Sequence, residues 1–276
     1  MLLLLLALAC KGDAPPDTDP AETGETGEVS ARAGFCAPEQ RIGSVRVERY
    51  GDGAVSSFTV QIQDTPHPLA APAVLETEAC SYHEYTPGFC DGGCGAQQLC
   101  SPEGVCEDTP RNLKGLELTL WADGVESTHQ ANDQGLIFGQ LGAETRFVFK
   151  VSGEGVDLES SELALPTALA AEVVSAGDYD APGALSVSWE GTSEATVHTD
   201  IPINHHAASQ TFTGCQAPAS AGGFQVPAEM VDPLAVHTGL EFQGLEFGSY
   251  EAIETPQGCV QVSVLTHAYV DVTFSP

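Results

Sequence analysis

The sequence predicts an all-β protein built from two immunoglobulin-like β-sandwich modules, the first carrying an inserted disulfide-rich knob. Three observations predict it: apolar and polar residues alternate in many short segments, 29 Gly and 18 Pro punctuate the 276 residues, and several of the nine cysteines crowd together. Alternation with a period of two marks strands that bury one face. Many short strands between Gly and Pro turns are typical of sandwiches.

The individual elements follow from local patterns. Asp52-Gly53 and Asp123-Gly124 are turn signals between strands. One short helix is predicted near Ala228 to Leu234, because Pro suits the first turn of a helix and a second Pro limits its length. The clearest strands are predicted at Phe58 to Ile62, Leu116 to Leu120, Leu185 to Trp189, Val260 to Val264 and Val270 to Phe274.

The predicted organisation divides the chain into five parts. The proposed boundary between the modules is an Ala-rich segment that passes into Gly, Asp and Pro. The parts are a signal peptide at 1–9, a lipidated disordered tether at 10–34, a β-sandwich at 35–165 with a cysteine-rich insertion at 80–106, a linker at 166–182 and a second β-sandwich at 183–276.

The charge of the chain excludes one class of function. The formal net charge is −30, and none of the nine basic residues lies after Lys150. Such a charge repels phosphate backbones, so the sequence argues against nucleic-acid binding. No apolar run approaches the roughly 20 residues of a membrane-spanning helix. The acidic surface is expected to be solvated, with calcium binding as the alternative.

The amino terminus predicts a lipid anchor. An apolar run from Leu2 to Ala9 has the length of a secretory signal, and Ala7-Leu8-Ala9-Cys10 resembles the lipobox of bacterial lipoproteins. The resemblance implies cleavage before Cys10, acylation of its thiol and a place in the cell envelope. Because Lys11 follows rather than Asp, analogy favours the outer membrane, on its periplasmic or surface face. The alternative is an ordinary cleaved signal in which Cys10 is incidental.

Eight further cysteines predict disulfide bonds. An even number in an exported protein implies a disulfide framework, although eight cysteines allow 105 connectivities. A zinc site in the crowded cluster is the alternative, but its second pair is spaced too widely for an ordinary zinc knuckle. From sequence layout the expected pairs are Cys36 with Cys80, Cys90 with Cys100, Cys94 with Cys106, and Cys215 with Cys259.

Over most of its length the chain resembles a group of myxobacterial-type bacterial lipoproteins that have no assigned activity. The residues that carry the resemblance run from Gly183 to Trp189, include Cys215, and continue from Gly222 to Ala228. Those proteins also have an acidic tether and a compact cysteine cluster. The resemblance implies an envelope lipoprotein with β-sandwich domains, and it implies no site residues.

Histidines offer the best candidate site. His198 and Asp200 lie two apart, so on a strand they share one face, and His205 and His206 follow in the next turn. Imidazole and carboxylate ligands together suit zinc or copper. The sequence therefore suggests a divalent-metal site at these four residues. The alternative is that they are ordinary surface polar residues.

The remaining chemistry-bearing patterns are weak. The sequence contains no nucleophile elbow, no His-Glu-x-x-His motif and no phosphate-binding Gly-rich loop with Lys. Tyr82, Tyr85 and Phe89 are expected to pack on the disulfides of the knob, with a sugar-binding platform as the alternative.

The favoured hypothesis is a non-catalytic, lipid-anchored envelope protein that acts in binding, adhesion or envelope architecture. It needs no cofactor, and its partners are the membrane and an unidentified protein or glycan. The alternative is a metal-binding or enzymatic protein that uses the His/Asp cluster.

Overall fold

The computed structural model describes residues 34–49, 56–86, 88–122, 124–142, 146–164, 174–176, 183–189, 195–202, 211–235, 241–242, 245–268 and 272–273. Within these ranges the regular structure is almost entirely β-strand, which confirms the predicted fold class. None of the helices in the described ranges has the length and apolar character needed to cross a membrane.

The first half contributes twelve strands, and the second half contributes nine strands and a helix. The first twelve are β1 (Arg41–Arg49), β2 (Ser56–Ile62), β3 (Ala73–Glu76), β4 (Cys80–His83), β5 (Gln98–Cys100), β6 (Cys106–Asp108), β7 (Glu117–Ala122), β8 (Val125–Gln130), β9 (Leu136–Leu141), β10 (Arg146–Gly153), β11 (Val156–Glu159) and β12 (Leu163–Ala164). The others are β13 (Val174–Ala176), β14 (Leu185–Trp189), β15 (Thr196–Pro202), β16 (Phe212–Pro218), β17 (Gly223–Val226), α1 (Ala228–Ala235), β18 (Glu241–Phe242), β19 (Leu245–Thr255), β20 (Gly258–Ala268) and β21 (Val272–Thr273). Two 3-10 turns occupy Pro38–Gln40 and Ala219–Ala221.

One long sheet organises the fold. Its nine strands lie in the order β3-β4-β16-β15-β19-β20-β1-β2-β9. A second sheet has the order β11-β10-β7-β8, with β12 beside β10, and a third has the order β13-β14-β17. The pairings are antiparallel except that of β1 with β20, which is parallel. A parallel pair needs a long connection, and here most of the chain lies between the two strands.

The first hydrophobic core lies between the long sheet and the second sheet. Alternate residues of β1, β2, β9 and β20 face alternate residues of β7, β10 and β11. Ile42, Val60, Val151 and Val262 are fully buried there. This is a β-sandwich, in which each strand buries every second side chain.

The second hydrophobic core lies between β15, β16 and β19 of the long sheet and the third sheet with α1. Leu185, Ile201 and Leu234 are fully buried in it. Trp189 is also buried, and its indole Nε1 donates a hydrogen bond of 2.7 Å to the carbonyl oxygen of Ala219. The helix therefore completes a core that the short third sheet alone would leave open.

Both cores lie on the same face of the long sheet. Leu245 and Phe247 of β19 belong to the second core, and Ile253 of the same strand packs against the first. These positions are an even number of residues apart, so they share one face of the strand.

The long sheet crosses the predicted module boundary at 166–182. Strands β1, β2, β4 and β9 come from before it, and β15, β16, β19 and β20 come from after it. The two cores therefore do not correspond to two separate stretches of chain, because the hairpin of β19 and β20 supplies side chains to both.

Two of the predicted disulfides are wrong and two are confirmed. The structure pairs Cys36 with Cys259 and Cys80 with Cys215, in place of the expected Cys36–Cys80 and Cys215–Cys259. The reason is the strand order: β1 lies beside β20 and β4 beside β16, so cysteines distant in sequence become neighbours. The pairs Cys90–Cys100 and Cys94–Cys106 form as predicted.

The knob is a short hairpin of β5 and β6 held by the two confirmed disulfides. Its sulfurs are bonded to one another, so they are not the thiolates that the zinc alternative requires. Cys80 lies in β4 of the long sheet and is not part of the knob.

Two of the three aromatic residues before the knob do not pack as expected. Tyr82 is buried in the second core beside the Cys80–Cys215 disulfide. Phe89 is 82% exposed, so it does not pack closely on the knob disulfides. Tyr82 lies among apolar side chains because β4 is a strand of the long sheet, which the sequence pattern did not reveal.

The local predictions agree with the structure at most described positions. The helix begins at Ala228 as expected, and Pro233 lies close to its end at Ala235. The predicted strands at 58–62, 185–189 and 260–264 are present. The turn at Asp52-Gly53 lies outside the described residues, as do Asp123, Val270 and Phe274.

Peptide mapping of the unreduced protein tests the sheet order. We expect cross-linked peptides that join Cys36 to Cys259 and Cys80 to Cys215. Peptides that join Cys36 to Cys80 would contradict the order of the nine strands.

Replacing both Cys36 and Cys259 by Ala should lower the free energy of unfolding by about 5 kcal/mol on the chain-entropy model. The matched control, replacing Cys94 and Cys106, should cost about 3 kcal/mol because its loop is far shorter.

Candidate functional site

The face of the long sheet opposite the two cores is polar. In β1, Ser44, Arg46 and Glu48 alternate with the buried Val45 and Val47. The same alternation places Gln261 and Ser263 of β20 on this face, and Glu246 and Tyr250 of β19. His198 lies directly opposite Glu246 on β15. The alternation that builds the cores therefore also gathers these polar side chains.

These residues form a cleft of about 540 Å³, which we call the open-face cleft. Its floor is the polar face of β1, β2, β15, β19 and β20. One wall is the segment Phe35 to Arg41, and the other is the loop that contains His67 and Ala71. A volume of this size is typical of sites for small ligands.

Gln261 fixes the first wall to the sheet. Its side-chain oxygen accepts a 2.8 Å hydrogen bond from the backbone nitrogen of Cys36, and its Nε2 donates to the carbonyl oxygen of Gly34 at 2.8 Å. Gly34 has φ +81°, and a side chain there would collide with the backbone of Tyr250. The disulfide of Cys36 with Cys259 holds the same segment covalently.

Arg46 is the cation at the centre of the cleft. Its Nη2 lies 2.6 Å from Oε1 of Glu246, and its Nε contacts the carboxylate of Glu48. Burial by itself would lower the pKa of Arg46, but the charge and hydrogen bonds of Glu246, together with Glu48, raise that pKa above its ordinary value. The guanidinium is therefore held in place between two carboxylates.

Tyr250 links the charged groups to an aromatic wall. Its ring stacks on that of Phe35, with 4.3 Å between ring centroids, and its hydroxyl donates to Oε2 of Glu246 at 3.4 Å. Burial, and then the negative charges of Glu246 and Asp200, raise the pKa of Tyr250 well above its ordinary value. The phenol therefore stays protonated, as a hydrogen-bond donor, at neutral pH.

His198 and Asp200 form the pair that the sequence predicted. Nε2 of His198 lies 3.2 Å from Oδ1 of Asp200, and the imidazole side chain is 5% exposed. The centroid of its ring lies 4.7 Å from the ring centroid of Phe35 and 5.5 Å from that of Tyr250. The carboxylate and the two aromatic rings orient the imidazole.

The other ring nitrogen of His198 has no hydrogen-bond partner. Nδ1 is buried, and no described residue bonds to it. A buried polar atom without a partner costs about 1–3 kcal/mol. Such an atom beside a cleft is satisfied by a buried water or by a polar group of a bound molecule.

The predicted metal site is brought together only in part. His198 and Asp200 meet, whereas His205 and His206 lie outside the described residues. Among the described residues, the only set of three metal-ligand types close enough to share an ion is Cys90, Cys94 and Cys100. Those cysteines are in disulfides, so the four-residue metal site stays a prediction.

The described residues place no nucleophile in hydrogen-bonding contact with His198. A nucleophile must hydrogen-bond to the base that activates it. Nε2 of His198 is occupied by Asp200, and no described hydroxyl or thiol bonds to Nδ1. Within the described part of the chain, the cleft therefore offers hydrogen-bonding and aromatic surfaces without an aligned nucleophile.

Several residues of the cleft were not predicted from the sequence. Arg46 and Glu48 alternate with valines, and this pattern could have shown that both face away from the core. Glu246 and Tyr250 lie more than 190 residues further along, and no local pattern connects them to Arg46. Phe35 has no signal of its own, because its contacts depend on the disulfide to Cys259.

Comparisons with known proteins give few matches. No protein-family model and no curated protein matches this chain. Among solved structures it is similar to the FN1–FN3 domains of chicken CNTN1, with 11% identity and a TM-score of 0.20, over 84% of this chain and 68% of that one. It is also similar to a 1.5-MDa bacterial ice-binding adhesin, with 12% identity and a TM-score of 0.21, over 81% and 76% of the two chains. TM-scores this low do not indicate a shared function.

Alkaline titration tests the environment of Tyr250. The difference between the tyrosinate absorbance curves of wild type and Tyr250→Phe isolates one of the six tyrosines. We expect this tyrosine to ionise well above pH ~10, the value of an unperturbed tyrosine. Ionisation at or below pH ~10 would contradict the buried position beside Glu246.

The same shift predicts how stability depends on pH. The folded-state pKa of Tyr250 is raised, so its stabilising effect is complete below the unfolded value of about 10 and is lost as pH rises through the folded pKa. Above pH ~10, wild type should lose stability faster than Tyr250→Phe in urea unfolding. The control Tyr85→Phe, which removes a phenol outside the cleft, should follow wild type.

Proposed function

We propose that this protein is a non-catalytic binding protein of the cell envelope, which takes a small polar ligand in the open-face cleft. The observation that carries the proposal is the polar, 540 Å³ cleft lined by His198, whose buried Nδ1 has no partner among the described residues. Buried polar atoms are ordinarily satisfied, and a polar group of the ligand would be the partner that the described residues do not supply.

The four disulfides support a place outside the cytoplasm. Stable disulfides are typical of proteins in oxidising compartments and rare in the reducing cytosol. Cys80–Cys215 joins two strands of the long sheet, Cys36–Cys259 joins the segment before β1 to β20, and the other two hold the knob. The fold therefore depends on covalent bonds that an oxidising compartment preserves.

A lipid on Cys10 is the proposed anchor. The support is the apolar run followed by Ala7-Leu8-Ala9-Cys10 and an acidic, Pro- and Gly-containing segment. More than one acyl chain is needed for stable attachment, since each buried methylene contributes about 0.8 kcal/mol. The segment after Cys10 would hold the folded part clear of the membrane surface.

A blocked-cleft variant tests the binding proposal. Ser44 lies half-buried on the floor, so Ser44→Trp should fill the cleft without entering either core. The matched control is Thr128→Trp, at an exposed strand position that does not line the cleft. We expect saturation-transfer NMR against a library of neutral, anionic and cationic small molecules to find ligands of wild type and Thr128→Trp that Ser44→Trp no longer binds. If no compound distinguishes Ser44→Trp from the control, the cleft is not the binding site.

Detergent partition tests the anchor. Expressed in a bacterium with lipoprotein processing, wild type should enter the detergent phase of a Triton X-114 extract, and Cys10→Ser should stay in the aqueous phase. The neighbouring substitution Lys11→Ser is the control and should partition like wild type. Wild-type protein in the aqueous phase, or Cys10→Ser in the detergent phase, would refute acylation at this residue.

A further inference from the structure

The charges that line the open-face cleft are balanced. The lining residues include two cations, Arg41 and Arg46, and two acids, Asp200 and Glu246. Arg46 is engaged by Glu246 and Glu48, and Asp200 by His198. An anionic ligand would meet these carboxylates, and a cationic ligand would meet the guanidinium groups. Juxtaposed like charges are costly, so the cleft favours a ligand without net charge.

The neutral side chains of the cleft can hydrogen-bond to the hydroxyl groups of a ligand. Ser44, Gln61 and Gln63 line the cleft, and amide and hydroxyl side chains can each donate and accept hydrogen bonds. A ligand hydroxyl likewise donates to a carboxylate and accepts from a guanidinium, and such charge-assisted bonds are the stronger kind. Hydroxyl groups can therefore use both the neutral and the charged residues of this cleft.

Two aromatic stacks add apolar surface to a polar site. Phe35 stacks on Tyr250 at 4.3 Å, and Phe212 stacks on His83 at 4.4 Å. Phe35, Tyr250 and Phe212 all line the cleft. A ring that carries hydroxyl groups at its edge and C–H groups on its faces can satisfy both kinds of surface, since aromatic faces pack against apolar groups.

His198 supplies the independent sign of a ligand. Its side chain is 95% buried, it lines the cleft, and its Nδ1 has no partner among the described residues. Nε2 faces the carboxylate of Asp200, which leaves Nδ1 for another partner. A ligand hydroxyl matches this nitrogen, because a hydroxyl can either donate to it or accept from it.

We propose that the open-face cleft binds an uncharged saccharide, with its hydroxyl groups on the cleft amides and His198 and its ring face against the aromatic stacks. This inference rests on the proposed function, because it names the ligand class of the same cleft. It differs from that proposal in excluding charged ligands and neutral ligands that lack hydroxyl groups.

A matched set of hexoses tests the proposal. Glucose, galactose and mannose are each titrated as the neutral sugar, the uronic acid and the 2-amino sugar, with two-dimensional NMR of the full folded protein. We expect at least one neutral hexose to bind about tenfold or more tightly than its own charged forms, with shifts at the residues of the open-face cleft. Its affinity should change little when salt is raised, because a neutral ligand leaves no charge to screen.

A substitution tests the role of the imidazole. His198→Phe keeps a ring against Phe35 and Tyr250 and removes Nδ1, so affinity for the neutral hexose should fall roughly five- to tenfold. Thermal unfolding shows whether the variant folds. The Ser44→Trp variant gives a second measure and should abolish binding of the same sugar, while Thr128→Trp keeps it.

The outcomes separate the two proposals. A uronic acid or amino sugar that binds as tightly as its neutral parent overturns the saccharide inference. So does a series in which no hexose binds although other library compounds bind the cleft, and in that case the proposed function stands. If neither the hexoses nor the library bind at the cleft, both proposals fail.

Discussion

The pairing of β20 with its two neighbours is the interaction on which the fold depends. On one side it pairs with β19 over the full length of both strands, and on the other it runs parallel to β1. Through β19 the hairpin reaches the second core, and through Val260, Val262 and Val264 it fills the first. The disulfide of Cys36 with Cys259 fastens the start of β20 beside the start of β1. Without this strand the long sheet would separate into two parts.

The polar cleft is a consequence of that arrangement. Because both cores lie on one face of the long sheet, the opposite face is free to carry polar and charged side chains. Alternation along each strand places Arg46, Glu246 and His198 on this face, and the order of the strands brings them together. A sheet covered on both faces would need apolar residues at these positions.

Local features of the fold were predictable from sequence, because they depend on neighbouring residues. Alternation located the strands around Val60, Val187 and Val262, and the helix at Ala228 followed from its flanking prolines. The two disulfides of the knob were predictable because their cysteines lie only 10 and 12 residues apart. The pairing of His198 with Asp200 was likewise a matter of strand periodicity.

Features that depend on sheet order were not predictable from a single sequence. The partners of Cys36 and Cys80 were wrong because 223 and 135 residues separate the bonded cysteines, and no pattern reports which distant strands become neighbours. The meeting of Arg46 with Glu246 is hidden for the same reason. The division at 166–182 rested on composition, which marks a change in the chain and says nothing about strands that pair across it.

The parallel pairing of β1 and β20 also constrains the order in which the chain can fold during synthesis. β1 leaves the ribosome more than 200 residues before β20, so during synthesis it has no partner on that edge. An unpaired strand edge readily joins other chains, and contacts this distant form slowly. The chain therefore depends on staying unfolded or bound to a chaperone until its last strands have been synthesised. Oxidation of Cys36 before then would form a non-native disulfide with another cysteine.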